Sequence, residues 1–371
     1  SRGCPFRCSY CLSSIDKRVR LRSLSLVFPE LQFFLDNKVD QVKFVDRTFN
    51  CKHDHAMAIW KYITEHDKGI TNFHFEVAAD LLNEEEIELI RRMRPGLIQL
   101  EIGVQSTNTD TIREIRRTMR LEEVREHVAR IKEKGNIHQH LDLIAGLPYE
   151  DIKSFRKSFD DVYSMRPDQL QLGFLKVLKG SYMMEMTGEY QILYKDREPY
   201  EVLSTAWLTY GEILRLKMVE SMVELYYNSG QFQNTIACVE PLFEDAFTLY
   251  EKLGQFYEKK GYSEISHSRM RRYEILLEFV KEELEEQSAG KSGNQDPEVE
   301  NPAGKAAEDC RGMETATWEK VADSMIYDLY LRENLKSHPS FEYDQKPYEK
   351  AVWEYRRQEK VPKTAHIEVF R

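Results

Sequence analysis

Three of the six cysteines stand within eight residues of each other, in SRGCPFRCSYC: Cys4, Cys8 and Cys11, spaced C-x3-C-x2-C. Thiolate is a soft ligand that selects zinc or iron–sulfur clusters. Structural zinc closes a tetrahedron of four protein ligands, so three cysteines leave one position to fill. A histidine from CKHDH, His53 or His55, would be the candidate. Iron–sulfur clusters are usually held by four cysteines as well. A four-iron cluster on only three has one open iron, and an open metal position is where chemistry happens. The other cysteines (Cys51, Cys238 and Cys310) are far apart and read as ordinary residues. A secreted disulfide framework would use more cysteines, evenly spread, so this usage points to a metal site in a reducing, cytoplasmic compartment.

Such a loop needs a scaffold, and the stretch from residue 20 to about 180 alternates short apolar strands with amphipathic helical patterns. DQVKFVD (40–46) precedes a helix in HAMAIWKYITEH (55–66). NFHFEVA (72–78) precedes NEEEIELIRRM (83–93), with Asn83 as N-cap and Glu86 at the capping-box position. LIQLEIGV (97–104) leads to DTIREIRRTM (110–119) and EEVREHVARIKEKG (122–135), which Gly135 terminates. IHQHLDLIAGLP (137–148) leads to a helix over 150–164, and QLQLGFLKVL (169–178) closes the series. This repetition means parallel βαβ units.

The strand faces carry more information. Strands of a parallel sheet covered on both sides are usually apolar throughout. Here every second residue is polar or glycine: His74 and Glu76; Gln99, Glu101 and Gly103; His138, His140 and Asp142. The alternate residues are apolar and face helices, which leaves the polar set facing whatever the sheet encloses. A polar lumen implies a polar ligand.

The chain has 371 residues, 53 Lys and Arg against 63 Asp and Glu, and a net charge of −10. That balance gives no bulk nucleic-acid-binding surface. No apolar run is long enough to span a membrane. The start at Ser1, without an initiator Met or a signal-peptide core, suggests an upstream segment. After residue 199 the sequence turns to long helical patterns, 201–230, 236–261 and 263–287, whose Met and aromatic stripes read as core. The expected organisation is a core over 1–185, a helical domain over 198–287, a disordered linker over 288–313 rich in Gly, Pro, Ser and acid, and a helical segment with a tail over 314–371. A strand is expected in HIEVF (366–370).

C-x3-C-x2-C with an aromatic, Tyr10, before the third cysteine resembles the cluster loop of the radical S-adenosylmethionine (SAM) superfamily. The resemblance implies a partial (βα)6 TIM-like barrel followed by an α-helical domain. It also implies a [4Fe–4S] cluster on Cys4, Cys8 and Cys11 whose open iron chelates SAM. One electron would cleave SAM to methionine and a 5′-deoxyadenosyl radical. The other motifs appear in order. FVDRTF (44–49) lies where the family contacts the SAM amino group, giving Asp46 and Thr48, although it departs from the common Gly-Gly-Glu form. FE at 75–76 gives Glu76, GVQS (103–106) gives Gln105, and an arginine twelve residues later gives Arg117. DLIAGLP (142–148) gives Asp142 as a SAM contact and Gly146 as close approach to adenine, and Lys176 in KVLKGS would offer backbone to that ring.

The SRGCPFRCSYC opening and the D-R-T-F strand end are similar to cobalamin-binding radical SAM proteins, in which a cobalamin domain precedes the barrel and a helical domain follows. This resemblance implies cobalamin carried on a domain outside this chain, with methyl transfer as one reaction of the class. The spacing is also similar to the anaerobic coproporphyrinogen dehydrogenase subgroup, which uses no cobalamin. From another class, the thiols could stabilise a binding protein without turnover. Expected partners are a small-molecule substrate, which the sequence does not identify, and an electron donor such as flavodoxin or ferredoxin, with no nucleic acid and no membrane.

Overall fold

The computed structural model describes residues 1–292, 303–333, 339, 341 and 346–359, with the backbone alone for 14, 288–292 and 303–316. It divides into two units, Ser1–Glu224 and Leu225–Arg371.

The first unit is built on five parallel strands: β1 (Gln41–Lys43), β2 (Asn72–Val77), β3 (Ile98–Gln105), β4 (His138–Ala145) and β5 (Gln169–Phe174). Their order in the sheet is their order in sequence. Helices α1 (Leu24–Asp36), α2 (His53–Glu65), α3 (Glu84–Arg92), α4 (Thr109–Glu114), α5 (Leu121–Lys132) and α6 (Ile152–Tyr163) lie before and between them. Successive crossovers of one hand carry each strand to the same edge, and strand twist curls the sheet into a half-barrel. This is the partial TIM-like architecture anticipated, with five strands among the described residues where six were expected. Helix α1 was not anticipated: Pro29 interrupts its pattern, yet Val27, Leu31 and Leu35 form a buried stripe, and Phe28 stacks on Tyr62 of α2 at 4.4 Å between centroids.

Local chemistry sets the boundaries. Asn83 and Glu86 form a full capping box at the start of α3, and the Asp151 side chain caps α6 through the Ser154 amide. Burial along β3 alternates without a break: Ile98, Leu100, Ile102 and Val104 are enclosed, while Gln99, Glu101, Gly103 and Gln105 face the lumen. Register aligns the polar positions across strands. Lys43 pairs with His74, His74 with Gln99, Glu76 with Glu101, Glu101 with His140, and Asp142 with Gln171. The polar lumen is thus a set of tiers.

After β5 come a short helix α7 (Tyr182–Glu185), an antiparallel ribbon of β6 (Leu193–Tyr194) and β7 (Val202–Ser204), and α8 (Tyr210–Val223). The helix expected from 201 therefore starts nine residues later, where Thr209 and Glu212 make a capping box. From α8, Lys217 reaches Glu201 at 2.9 Å and the Phe174 ring at 4.1 Å.

The second unit contains α9 (Gln233–Val239), α10 (Ala246–Lys259), α11 (Arg269–Ser292), α12 (Ala303–Tyr330) and α13 (Glu349–Gln358). The aromatic stripes are core, as expected: Tyr226, Phe232, Tyr250, Tyr257, Tyr273 and Phe279 are buried. Buried phenols must be partnered, and Tyr226 and Tyr257 bond to each other at 2.6 Å. Asp328 of α12 accepts from the Asn234 and Thr235 amides, supplying negative charge at the α9 N-terminus. Of the segment read as linker, 288–292 and 303–313 have helical backbone. Good helix formers such as Ala, Lys and Glu are frequent there. Residues 293–302, and the strand expected over 366–370, lie outside the described residues.

Candidate functional site

The C-terminal ends of β2, β3 and β4 and the loop of residues 4–11 enclose a cavity of about 520 Å³. That is within the usual range for a small-molecule site, roughly 300–1,000 Å³. Cys4, Cys8 and Cys11 all line it. The loop is pinned by backbone bonds from Cys4 N to Asp16 O (3.1 Å), Ser9 N to Ile115 O (2.9 Å) and Met183 N to Ser9 O (2.9 Å). Gly3 takes φ +84°, and a Cβ there would fall 2.3 Å from Arg18 O, so the approach to Cys4 requires glycine. All three thiols are free of disulfides. Burial pushes the Cys8 thiol up, against the nearby Arg117 guanidinium, whose Nη1 lies 3.9 Å from Sγ. A metal held there would have to displace that proton. Burial likewise raises the Tyr10 phenol, which stays protonated.

Around the thiols stand Tyr10, Thr48, Glu76, Gln105, Arg117 and Asp142, all lining the cavity. Arg117 donates to Gly103 O, and its Nε is enclosed without a partner. At the end of β3 the register slips between Gly103 and Gln105, and Gln105 takes φ +75°. A non-glycine residue in that region is strained, a condition that concentrates at ligand sites. A Cβ at Gly103 would lie 2.3 Å from Gln105 Nε2 and 3.5 Å from Arg117 Nη2, so the two side chains meet where only glycine leaves room. Behind this turn Ser106 donates to Glu150 Oε1 at 2.6 Å and Ser158 donates to the same oxygen at 2.8 Å. This fully buried carboxyl ties β3 to α6. Burial lifts it to about 7 despite the two hydroxyls.

Two of the expected residues lie elsewhere. Asp46 accepts from the Ser1 hydroxyl, beside the cavity but not among the residues lining it. Gly146 takes φ +91°, and its missing Cβ would stand 2.9 Å from Val202 Cγ1, so the close approach it permits in the structure is to β7. Lys176 lines the cavity. His53 and His55 face a separate cavity with Cys51, and His53 bonds to Glu86 at 3.0 Å. A histidine ligand from CKHDH is therefore not brought to the cavity that the three thiols line. Among the described residues no three His, Cys, Asp or Glu side chains are arranged to hold one metal ion.

The tier adjoining the cavity was only partly anticipated. Lys43 reaches Glu101 Oε2 at 3.1 Å, and His74 Nε2 lies 2.8 Å from the same oxygen. Burial acts to raise Glu101, but the bond from Lys43 and the charges of Lys43, His140 and His74 hold it below the usual carboxylate range. Glu76 is raised by burial and by Glu101. Asp142 is raised by burial against the attraction of His140, 2.9 Å away. Lys43 escaped the sequence reading because its role depends on a contact 58 residues away. Its place one register step from His74 was the available signal.

Residues 1–162 match the radical SAM superfamily. The chain is a radical SAM protein. Proteins of this superfamily use a [4Fe–4S] cluster and SAM. The radical SAM protein also matches, over residues 188–369, a family described as "Protein of unknown function (DUF4080)". It is 26% identical over 174 residues to the oxygen-independent coproporphyrinogen-III oxidase-like protein HemZ of Bacillus subtilis, covering 38% of this chain and 35% of HemZ. It is 28% identical over 167 residues to the 2-(S-pantetheinyl)-carbapenam-3-carboxylate methyltransferase of Streptantibioticus cattleyicolor, covering 42% of this chain and 24% of that protein. Among solved structures, the radical SAM methyltransferase TsrM from Kitasatospora setae, with cobalamin and a [4Fe–4S] cluster bound, aligns at TM-score 0.45 and 16% identity, over 52% of this chain and 36% of TsrM. The radical SAM protein spans about a third of the length of HemZ and about a quarter of the carbapenam methyltransferase.

The residues present suit both groups. Three free thiols line one cavity, and Gln105 Oε1 and Arg117 Nε are buried there without partners. Buried polar atoms are normally paired, and the amino, carboxylate and hydroxyl groups of SAM have the complementary chemistry.

Proposed function

We propose that this chain is the catalytic core of a radical SAM enzyme in which Cys4, Cys8 and Cys11 hold the cluster and the cavity above them holds SAM. When bound, the reduced cluster and SAM together supply a 5′-deoxyadenosyl radical that abstracts hydrogen. The rest concerns this chain's own side chains. The Arg117 guanidinium suits the SAM carboxylate, since a planar fork pairs with a carboxylate in two parallel bonds. Asp142 and Glu76, both raised chiefly by burial, would ionise more fully beside an ammonium or sulfonium. Tyr10, protonated, can donate a hydrogen bond but is no base. Glu101, held ionised by Lys43, lines the cavity as a hydrogen-bond acceptor for the substrate.

The observation carrying this reading is the convergence of the three thiols with Gln105, Arg117 and Asp142 on one cavity. For the reaction, we propose the cobalamin-associated class with methyl transfer, on the resemblance of the cysteine loop and D-R-T-F; the 28% identity to a methyltransferase also supports it. The 26% identity to HemZ supports a second reading, a cobalamin-independent oxidoreductase. The test is anaerobic reconstitution with iron and sulfide, reduction, and chromatography of SAM-derived products. Formation of 5′-deoxyadenosine by the wild type and not by Arg117→Ala is the expected result. A reconstituted cluster with no SAM cleavage would leave the binding-protein alternative. Added cobalamin with a methylated product separates the two reaction classes.

A further inference from the structure

Because the strands run β1 to β5 in sheet order, β1 and β5 are the two edges of the curled sheet. Each edge delivers a cation just past its C-terminal end: Arg47 after β1, which ends at Lys43, and Lys176 after β5, which ends at Phe174. Both are exposed, and both line the cavity that holds the three thiols. The Lys176 backbone is fixed by its bridge to Glu201. Neither side chain has an ion-pair partner among the described residues. The acids of the cavity are otherwise accounted for. Four line it: Glu76, Glu101, Asp142 and Glu201. Glu101 is compensated by Lys43 at 3.1 Å. Burial acts to raise Glu201, but bonds from Lys217 at 2.9 Å and Lys195 at 3.2 Å hold it below the usual carboxylate range. Glu76 and Asp142 are taken, with Arg117, by the proposed SAM contacts. Arg47 favours the charge of Glu76 only from beyond ion-pair distance. Two cations therefore stand at the cavity edges without a protein counter-charge. Phe174 and Leu178, on either side of Lys176, add apolar wall, and the Phe174 ring is held by Lys217, whose Nζ lies 4.1 Å from its centroid.

We infer that Arg47 and Lys176 anchor the substrate, and that the substrate is a small molecule carrying an oxyanion, carboxylate or phosphate, on an apolar body that rests against Phe174 and Leu178. The inference deepens the radical SAM reading and rests on it, because it is SAM that occupies Glu76, Asp142 and Arg117. A guanidinium pairs with either oxyanion through two parallel bonds, and an ammonium adds a point charge. Held from the two edges, the substrate spans the open side of the half-barrel with its body toward the thiol end of the cavity. Anchoring of this kind fixes which part of the substrate meets the radical.

The test uses the full chain, both metal-free and reconstituted, with pyrophosphate and tricarballylate as the probes, each titrated by calorimetry at low salt. The wild type should bind at least one of them, and tighter binding of pyrophosphate or of tricarballylate assigns the anion as phosphate or carboxylate. Arg47→Gln with Lys176→Gln should lose at least about tenfold in that affinity, the scale of a hydrogen bond to a charged group. Lys61→Gln with Lys134→Gln, the same charge change on exposed positions outside the cavity, should keep it. SAM affinity of the reconstituted protein should be equal in all three, which also shows that the variants are folded. Neither probe bound by the wild type, equal losses in the two doubly substituted proteins, or SAM affinity that falls together with anion affinity in Arg47→Gln with Lys176→Gln would each overturn the inference, the last by placing the two residues on the cofactor. Reconstituted wild type that binds the anion but not SAM counts against the radical SAM reading instead, since anion binding is also read on metal-free protein.

Discussion

Glu150 offers a prediction whose size follows from its surroundings. The carboxyl is fully buried, and its side-chain partners among the described residues are Ser106 and Ser158, both on Oε1, which leaves Oε2 unpartnered there. Burial raises it from an ordinary 4.5 to about 7. One pKa unit corresponds to about 1.36 kcal/mol, so about 2.5 units give about 3 kcal/mol. Because the folded-state pKa is the higher one, the folded protein binds the proton more tightly than the unfolded chain. The stabilising contribution is complete below 4.5 and is lost as pH rises through 7. Glu150→Gln keeps the shape and the Oε1 acceptor, carries no charge, and so lacks this pH dependence. Hydrogen exchange by mass spectrometry on β3 and β4 peptides compares the two proteins at the same pH, which cancels intrinsic exchange rates. Between pH 4 and 8.5 the ratio of their protection should move about a hundredfold in favour of Gln, the equivalent of about 3 kcal/mol. A ratio constant across that range would refute the assignment of a buried, protonatable carboxyl at the back of the Gln105 turn.

Three further outcomes follow from the cavity and its supports. Arg117→Ala should weaken SAM binding at least about tenfold in calorimetry, the scale of one charge-assisted hydrogen bond, while iron content stays at the wild-type level. Gly103→Ala should reduce SAM binding comparably, because the added Cβ pushes Gln105 Nε2 from a position 2.3 Å away; unfolding curves should change less than binding does. Gly146→Ala should act the other way round. At φ +91° and 2.9 Å from Val202 Cγ1 it should cost about 1–3 kcal/mol of stability by urea unfolding, with SAM affinity per folded molecule nearly unchanged.

The half-barrel was legible because two periodicities coexist in the strands. Phe73, Phe75, Ile98, Leu100 and Ile102 mark the helix-facing side, and His74, Glu101, Gly103 and Asp142 mark the other. The Asn83–Glu86 capping box was legible because both members lie within one turn. The equivalent box of Thr209 and Glu212 was overlooked, since apolar residues in EVLSTAW carried the helical pattern past it. Site residues tied to strand ends by the short motifs that carry the family resemblance, such as Gln105 and Asp142, could be placed on the cavity through that resemblance. Asp46 and Gly146 could not: whether a residue at a strand end faces the lumen or packs behind it depends on partners distant in sequence, here Ser1 and Val202. Lys43 and Glu150 were missed for the same reason, since each acts through residues more than 40 positions away, Glu101 and Ser106. Helix α1 was missed because Pro29 masks a stripe that only packing against α2 reveals.

The central claim, that three thiols leave one iron open to SAM, is tested most directly by electron paramagnetic resonance of the reconstituted, reduced protein with and without SAM. The account predicts a four-iron signal that changes shape when SAM is added and that is lost, together with bound iron, in Cys8→Ala. A signal indifferent to SAM, or iron retained in full by Cys8→Ala, would contradict it.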